Sequence, residues 1–316
     1  MKNGEGPRAW LQYVAIRVVI FLFHVFPVNR NLETARLLGR IWWHVMPRHR
    51  ERARQHLRLA YGDSLSPAEI DRIARRSMQQ LVMLVVEMIF TPRLINEWTW
   101  SRYVRVGDLG DALRVLLAGK GAILITGHYG NWELTGHLLV VYGFDVVAVM
   151  RPLDNAYLNR YVVENRRSAG LELLDKKGAT RAAEEVLRRG GALGFIADQN
   201  AGRKGMFVDF FGRKASTYKS IGLLAMQARV PIIVGYARRV SDRLEYELGV
   251  QRIIHPHEWE DQPDPLRWIT QEYTAAIEAF VRDDPGQYLW IHRRWKSRPR
   301  NEQRAKANNA PAPPVA

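Results

Sequence analysis

The sequence predicts an α/β fold: a mostly parallel central sheet flanked by helices, preceded by an N-terminal helical region that anchors the chain to a membrane. Two patterns predict the sheet. Short apolar runs typical of buried parallel strands, such as Ala122–Thr126 and Ala192–Ile196, recur along the chain, and helix-like segments separate them. The anchor is predicted by a third observation, the apolar stretch from Trp10 to Val28.

The N-terminal stretch Trp10–Val28 is mainly apolar, although Arg17 and His24 interrupt it. A spanning helix needs about 20 apolar residues, so this one is marginal, and no small-residue cleavage site indicates a signal peptide. We interpret Trp10–Phe26 as an anchor that lies in the membrane interface or crosses the membrane once. The alternative is a buried amphipathic helix of a soluble fold.

Three segments are predicted: the anchor over 1–28, a main α/β domain over 29–300, and a disordered basic, Pro- and Ala-rich tail over 301–316. The first third of the chain has helical patterns. Ser66-Pro67-Ala68-Glu69 is a capping box with proline at the first helical position. From Leu81 to Phe90 apolar residues cover nearly every face of the following helix, so that helix is buried or touches lipid.

After Gly119 the pattern changes to alternating strands and helices. We expect strands over 122–126, 146–149, 192–196 and 230–236, and helices over about 131–142, 154–170, 179–189, 216–228 and 264–281.

The net charge of +15 favours anionic partners: nucleic acid, an anionic membrane leaflet, a phosphorylated lipid or an acidic carrier protein. A nucleic-acid-binding protein is the distant alternative, but the basic residues are scattered and form no known binding module. The chain contains no cysteine, which excludes a cysteine nucleophile, a thiolate metal site and a disulfide.

A histidine followed five positions later by a glutamate occurs twice, as His128/Glu133 and His255/Glu260. A histidine base needs an acceptor that holds its second ring nitrogen and stabilises the imidazolium. With nine histidines and 32 acidic residues in 316 positions, chance predicts roughly one such pair, so context must decide. His255 lies among prolines and polar residues, which predicts a surface loop.

His128 follows the strand 122–126 within two residues, and Glu133 falls in the first turn of the next helix. Ligands of open α/β sheets bind beyond the carboxyl ends of strands. Gly127 and Gly130 allow a sharp turn there, and amides at the helix start suit a developing oxyanion. Position alone is equally compatible with a core histidine beneath a loop.

Several sequence blocks resemble, in order, the signatures of the bacterial lipid A biosynthesis acyltransferases, the late lauroyl and myristoyl transferases of the glycerolipid acyltransferase superfamily. The blocks are Gly127-His128-Tyr129-Gly130-Asn131-Trp132-Glu133-Leu134, Met150-Arg151-Pro152-Leu153-Asp154-Asn155, Ala197-Asp198-Gln199-Asn200, Phe210-Phe211-Gly212-Arg213 and Trp290-Ile291-His292-Arg293-Arg294-Trp295-Lys296. The resemblance covers roughly residues 10–299.

The resemblance implies roles for individual residues. His128 would be the general base and Glu133 its orienting partner. The family's essential arginine best matches Arg166, with Arg167 adjacent, and its essential aspartate best matches Asp198. Asp198 would support Arg166 or a substrate hydroxyl, with a structural ion pair as the alternative.

Two further residues of the matching blocks are predicted to bind substrate. Arg151 would bind a substrate phosphate, with a loop-fixing salt bridge as the alternative. Asn131, inside the histidine block, would contact substrate.

The implied reaction is direct acyl transfer without a cofactor or metal, from acyl-acyl carrier protein or acyl-CoA to a lipid A precursor or a related anionic glycolipid. A mannosylated phosphoinositide or an aminolipid is the alternative acceptor. The implied location is the bacterial inner membrane, with the active site facing the cytoplasm, and nucleic acid is not an expected partner. The chain has no Gly-x-Ser-x-Gly elbow, which disfavours a serine acyl-enzyme.

Overall fold

The computed structural model describes residues 4–150, 152–168, 170–175, 179–300 and 302. Its α-helices are α1 (Pro7–Val25), α2 (Val28–Val45), α3 (Pro47–Tyr61), α4 (Pro67–Leu94), α5 (Gly110–Leu117), α6 (Trp132–Val141), α7 (Ala156–Ser168), α8 (Ala179–Arg188), α9 (Lys219–Ala228), α10 (Pro256–Glu260) and α11 (Pro265–Asp283). Its strands are β1 (Val104–Val106), β2 (Ala122–Thr126), β3 (Val146–Met150), β4 (Glu172–Asp175), β5 (Ala192–Ile196), β6 (Met206–Phe210), β7 (Arg213–Thr217), β8 (Ile232–Arg239) and β9 (Tyr246–Ile254).

The first third of the described chain is helical, as predicted. The long helix α4 begins at the predicted capping box: the Ser66 hydroxyl accepts from the amide of Glu69, and the Glu69 carboxylate accepts from the amide of Ser66. α2 packs along α4 so closely that a Cβ at Gly39 would lie 2.6 Å from Cα of Gln79. The two helices therefore form one rigid layer.

Seven strands form the central sheet in the order β1-β9-β8-β2-β5-β3-β4. Every neighbouring pair is parallel except β8 and β9, which confirms the predicted mostly parallel sheet. β2 lies at the centre, between β8 and β5. The loop after β2 therefore opens at the point where ligands of such sheets bind.

Helices cover both faces of the sheet. On one face, α5 and α6 pack over side chains such as Leu124, Val146 and Ile233. On the other, α8, α9 and α11 pack over Ile123, Leu193 and other core residues. Since both faces are buried, the strands are nearly continuous apolar runs, which is why the sequence pattern identifies them.

The predicted strands over 122–126, 146–149, 192–196 and 230–236 are confirmed, as are the five predicted helices, with small shifts at their ends. The largest shift is at the helix predicted over 216–228, which begins at Lys219. Ser216 and Thr217 instead end β7, where the buried guanidinium of Arg294 binds them. The sequence patterns predicted none of β1, β4, β6, β7 and β9.

The segment around His255 was predicted to be a surface loop, and this is wrong. It opens the short helix α10, with a capping box between His255 and Glu258. Glu260, the acidic partner of the second histidine pair, forms a hydrogen bond at 2.5 Å with Arg229. The second histidine–glutamate pair therefore belongs to helix capping and a surface ion pair.

The apolar N-terminal segment forms α1, a helix of 19 residues, none of which is buried. Its length and composition would allow it to cross a membrane. Buried Asn31 fixes its end, because the side-chain amide donates to the backbone oxygens of Phe23 (2.8 Å) and Phe26 (3.1 Å). The predicted tail, 301–316, lies outside the described residues except for Glu302.

Candidate active site

Two adjacent parallel strands bring His128 and Asp198 together. β2 ends at Thr126 and β5 at Ile196, and these two residues are paired in the sheet register. His128 lies two residues after Thr126, and Asp198 lies two residues after Ile196. The loops that carry them therefore leave the sheet at the same level. Nδ1 of His128 lies 2.7 Å from Oδ1 of Asp198.

Asp198 is suited to hold the imidazole. Burial raises the pKa of this carboxyl, but the charges and hydrogen bonds of His128 and the charge of Arg294 outweigh burial and lower the pKa to about 2. An ionised Asp198 accepts a hydrogen bond from Nδ1–H, which leaves the lone pair of the imidazole on Nε2. Nε2 is therefore the atom that can take a proton from a substrate, and the side-chain amide nitrogen of Gln199 lies 3.1 Å from it.

Glu133, the residue expected to orient His128, has a different partner. Its carboxylate accepts a hydrogen bond from Nη2 of Arg166 at 2.6 Å. Glu133 is the second residue of α6 and Arg166 comes from α7, so this ion pair joins the two helices. Asp198 rather than Glu133 thus makes the hydrogen bond to the imidazole, and Arg166 pairs with Glu133 rather than with Asp198.

Asn131, expected to contact substrate, is fully buried and caps α6. Its side-chain oxygen accepts from the amide of Leu134 at 3.1 Å, and its side-chain nitrogen lies 3.2 Å from Glu87. Both polar groups of the side chain are thus engaged inside the protein. Asn131 fixes the start of α6 instead of facing a cavity.

Gly130 adopts a positive φ of 54°, and a Cβ there would lie 2.0 Å from the backbone oxygen of Ala237. Only glycine fits this turn. The amide of Gly130 donates to the backbone oxygen of Gln287, so it is not available to an oxyanion. The amides of Trp132 and Glu133 are better placed, because the first amides of a helix have no intrahelical partner.

A buried ion pair lies behind the turn. Glu87 of α4 and Arg239 of β8 are almost completely inaccessible to solvent and form a direct hydrogen bond, and Tyr246 also donates to Glu87. Burial raises the pKa of Glu87, although Arg239 and Tyr246 oppose this. Because Asn131 also donates to Glu87, this network connects the core to the histidine loop.

The C-terminal block supports the second loop of the site. Buried Arg294 donates to the backbone oxygen of Gln199 at 3.2 Å and to that of Ser216 at 2.5 Å. Nε2 of His292 accepts from the amide of Asn200 at 3.1 Å. The block thus holds the loop that carries Asp198.

The stability of the protein should depend on His292 in mildly acidic solution. Burial lowers the pKa of His292 from 6.5 to about 4, although the charge of Asp198 opposes this shift. The unfolded chain therefore binds a proton there at pH values where the folded chain does not, so stability falls as the pH drops from 6.5 towards 4. We expect His292 to account for about 2 kcal/mol of the loss between pH 7 and pH 5.

Urea unfolding in detergent micelles at both pH values measures this. His292→Gln keeps an acceptor for the Asn200 amide but does not titrate, so the pH-dependent loss should shrink by that amount. An unchanged loss in His292→Gln would show that other groups, such as the buried His56 and His137, carry the whole effect.

An apolar cavity of about 170 Å³ lies between the sheet and helices α5 and α6. Engineered apolar cavities of roughly 150 Å³ already bind small apolar molecules. Trp132 lines the cavity, and 4.8 Å separate the centroid of its ring from the centroid of the His128 imidazole. Glu133 and Arg166 also border the cavity, so the site joins ionised groups to an apolar space.

The same ion pair, Glu133–Arg166, borders a second apolar space of about 520 Å³. This space lies between α1, α4 and α7, with side chains such as Ile16, Met88 and Val162 in its wall. The two apolar spaces therefore border the Glu133–Arg166 ion pair from different sides.

The structure brings together four of the predicted site residues, His128, Glu133, Arg166 and Asp198, although with exchanged partners. Arg151 lies outside the described residues. Two residues of the site, Trp132 and Gln199, were not predicted from the sequence. Both stand directly beside a selected residue within the quoted blocks, and that adjacency was the available signal.

A model of the bacterial lipid A biosynthesis acyltransferase family matches residues 2–297 of the chain. The chain belongs to this family. It is 25% identical to the lipid A biosynthesis palmitoleoyltransferase of Escherichia coli (strain K12), with 94% of each chain covered. It is 24% identical to the lauroyltransferase of the same strain, with 93% of this chain and 94% of the relative covered.

A phosphatidylinositol mannoside acyltransferase of Mycolicibacterium smegmatis (strain ATCC 700084 / mc(2)155) is also similar, with 25% identity over 76% of this chain and 78% of the relative. Two of these relatives are named for lipid A biosynthesis and one for phosphatidylinositol mannoside, and all three names describe acyl transfer. As a lipid A biosynthesis acyltransferase family member, the protein is an acyltransferase.

Proposed function

We propose that the protein transfers a fatty acyl group from acyl-acyl carrier protein to a hydroxyl group of a lipid A precursor, with His128 as the general base. The observation that carries this proposal is the hydrogen bond of His128 to ionised Asp198 beside an apolar cavity. A base held in one tautomer next to a space for an acyl chain is what direct acyl transfer needs.

In the proposed reaction Nε2 of His128 removes the proton from the acceptor hydroxyl as its oxygen attacks the thioester carbonyl. Asp198 stabilises the imidazolium that forms. The tetrahedral intermediate collapses, the C–S bond breaks, and the imidazolium returns the proton to the departing thiolate. The amides of Trp132 and Glu133, together with Arg166, stabilise the oxyanion. Glu133 holds Arg166 in place through their ion pair.

The cavity between the sheet and helices α5 and α6 holds the acyl chain of the donor. Its wall is almost wholly apolar, and Trp132 connects it to His128. An apolar wall favours an acyl chain by removing its surface from water. The size of the cavity then selects the length of the chain that is transferred.

The positive charge of the protein suits the proposed donor, acceptor and membrane, which are all negatively charged. The net charge of +15 attracts an acidic carrier protein and an anionic glycolipid. α1, at about 28 Å, is nearly as long as the hydrocarbon core of a bilayer is thick, so it anchors the protein in the inner membrane with the site on the cytoplasmic side. Arg151 is the proposed ligand of a substrate phosphate.

We expect Gly194→Val to shorten the acyl chain that the enzyme prefers. Gly194 lines the cavity from β5, and a Cβ there would lie 3.8 Å or more from every atom outside its chain neighbours, so a side chain can begin at this position and reduce the volume of the cavity. Activity should fall with palmitoyl and myristoyl donors and persist with decanoyl donor. Competition between acyl-acyl carrier proteins of different chain length, followed by mass spectrometry, measures the preference.

The opposite change is the matched control. Leu124 lines the same cavity from β2, and Leu124→Ala enlarges it. We expect this variant to shift the preference towards longer donors. If both variants keep the chain-length preference of the wild type, the acyl chain binds elsewhere.

The experiment that tests the proposed function uses washed membranes that contain the full chain. They receive lauroyl- or myristoyl-acyl carrier protein and a lipid A precursor that lacks its last acyl chains, and mass spectrometry detects an added acyl group. A second set of reactions contains acyl-CoA and phosphatidylinositol mannosides, because a relative is named for that acceptor. Product in the first set supports the proposal. Product in the second set alone would show acyl transfer with a different donor and a different acceptor.

A further inference from the structure

Helix α2 is apolar on two opposite sides. Leu32, Ala35 and Trp43 on one side are buried, and Gly39 between them packs closely against α4. The other side carries large apolar residues that are about half exposed. They are Leu37 (53%), Leu38 (45%), Ile41 (47%) and Val45 (64%), with Met46 (47%) directly after the helix.

The spacing of these exposed residues places them on one stripe. Positions 37, 38, 41 and 45 fall within about a third of the circumference of a helix with 3.6 residues per turn. Single exposed apolar residues are ordinary, but a contiguous stripe marks an interaction surface. We call the stripe of Leu37, Leu38, Ile41, Val45 and Met46 the α2 face.

We propose that the α2 face lies in the membrane interface and contacts the acyl chains of an anionic leaflet, as a second membrane contact beside α1. This deepens the membrane location proposed above and does not depend on which acceptor the enzyme uses. A helix that lies in the interface has an apolar side towards the acyl chains and basic residues that face lipid phosphates.

Continuity of α2 with α1 favours a bilayer as the partner of the α2 face. The side chain of Asn31 in α2 binds the backbone of Phe23 and Phe26, so the end of α1 and the start of α2 hold a fixed relation. The ring of His24 also stacks on Phe90 of α4, with 5.1 Å between the ring centroids. A membrane in which the exposed apolar surface of α1 is embedded therefore also contacts the neighbouring helix α2.

The positive charge beside the α2 face also favours an anionic bilayer. Arg40 in α2 and Arg48 at the start of α3 are exposed, and within the described part of the chain neither forms an ion pair or a side-chain hydrogen bond. They flank the α2 face, and lipid phosphates suit such guanidinium groups. A second copy of this chain would place the same uncompensated positive charges opposite each other, so it fits the α2 face less well than an anionic leaflet does.

The absence of cysteine from the sequence makes a direct test simple, because one introduced cysteine is the only site of labelling. Ile41→Cys in the full chain is labelled with the fluorophore NBD and reconstituted into phosphatidylcholine vesicles with phosphatidylglycerol. We expect emission at shorter wavelength than in water, strong quenching by lipids with a doxyl group near the headgroup, and protection from aqueous iodide. Leu117→Cys is the matched control, an exposed leucine at the end of α5, and should be quenched by iodide alone.

Arg40→Gln with Arg48→Gln, in the Ile41→Cys background, tests the charge argument. Quenching by doxyl lipids should decrease, as it should when phosphatidylcholine alone forms the vesicles. The proposal is overturned if NBD at position 41 stays accessible to iodide in the vesicles. It is also overturned if NBD is protected but insensitive to doxyl lipids, which would indicate a second protein copy. The experiment measures the depth of the NBD group in the membrane and not acyl transfer. Its outcome therefore does not depend on whether the proposed reaction is correct.

Discussion

Replacing His128 with alanine should lower kcat for acyl transfer by about 10²- to 10⁴-fold, the usual contribution of a general base. The loss should appear mainly in kcat, because proton removal happens in the transition state and not in substrate binding. Initial rates with acyl-acyl carrier protein and a lipid A precursor, at several acceptor concentrations, separate kcat from KM.

Asp198→Asn should reduce kcat on a similar scale. The asparagine keeps the size of the side chain but removes the charge that stabilises the imidazolium and fixes its tautomer; in serine protease triads such a change costs on the order of 10⁴-fold. The alternative assignment, in which Glu133 orients His128, predicts a small effect for Asp198→Asn. Full activity of this variant would therefore remove Asp198 from the mechanism.

The chain contains its own control for these variants. His255 and Glu260 have the same spacing as His128 and Glu133 but belong to the cap and surface of α10. His255→Ala should leave kcat and KM near the wild-type values. A loss in His255→Ala as large as that in His128→Ala would mean that both changes act through folding, which circular dichroism would then show.

Strand order explains why the partner of His128 could not be read from the sequence. The sequence shows that His128 and Asp198 each follow an apolar strand by two residues. It does not show that β5 is the neighbour of β2, because β3 and β4 lie between them in the chain but on the far side of β5 in the sheet. The family resemblance implied that Glu133 orients His128, but the structure places the carboxylate of Glu133, at the start of α6, against Arg166 instead.

Other elements lacked a strong local signal. β6 and β7 are short strands joined at Phe211 and Gly212, which both have positive φ. Asparagine or aspartate before the glycine is the usual signal for such a turn, and phenylalanine does not provide it. The parallel strands at the centre of the sheet were predictable because burial on both faces makes them uniformly apolar.

A second large effect is expected at the buried ion pair of Glu87 and Arg239. Glu87→Ala should lower the free energy of unfolding by about 3–5 kcal/mol, because it leaves a guanidinium buried without its counter-charge. Arg239 is 5% exposed, and its remaining hydrogen bonds to Gln80 and the backbone of Arg243 do not replace the charge. Denaturant unfolding in detergent micelles measures the change.

An exposed ion pair provides the matched control. Glu260→Ala breaks the pair with Arg229. The side chain of Glu260 is 42% exposed and that of Arg229 is 74% exposed. We expect this variant to unfold close to the wild-type midpoint, since exposed pairs contribute little. If Glu87→Ala also unfolds near that midpoint, the buried pair does not stabilise the fold.

Replacing both partners separates stability from positioning. A variant with Glu87→Met and Arg239→Met removes both charges and leaves an apolar contact, which often restores stability or raises it. It also removes the acceptor of the Asn131 amide, so the start of α6 and the histidine loop lose one of their fixed points. A displacement of about 1 Å can cost on the order of 10²-fold in rate, so this variant should be stable but slow. A stable variant with wild-type kcat would show that the pair serves folding alone, and that Gly130 and the cap of α6 suffice to place His128.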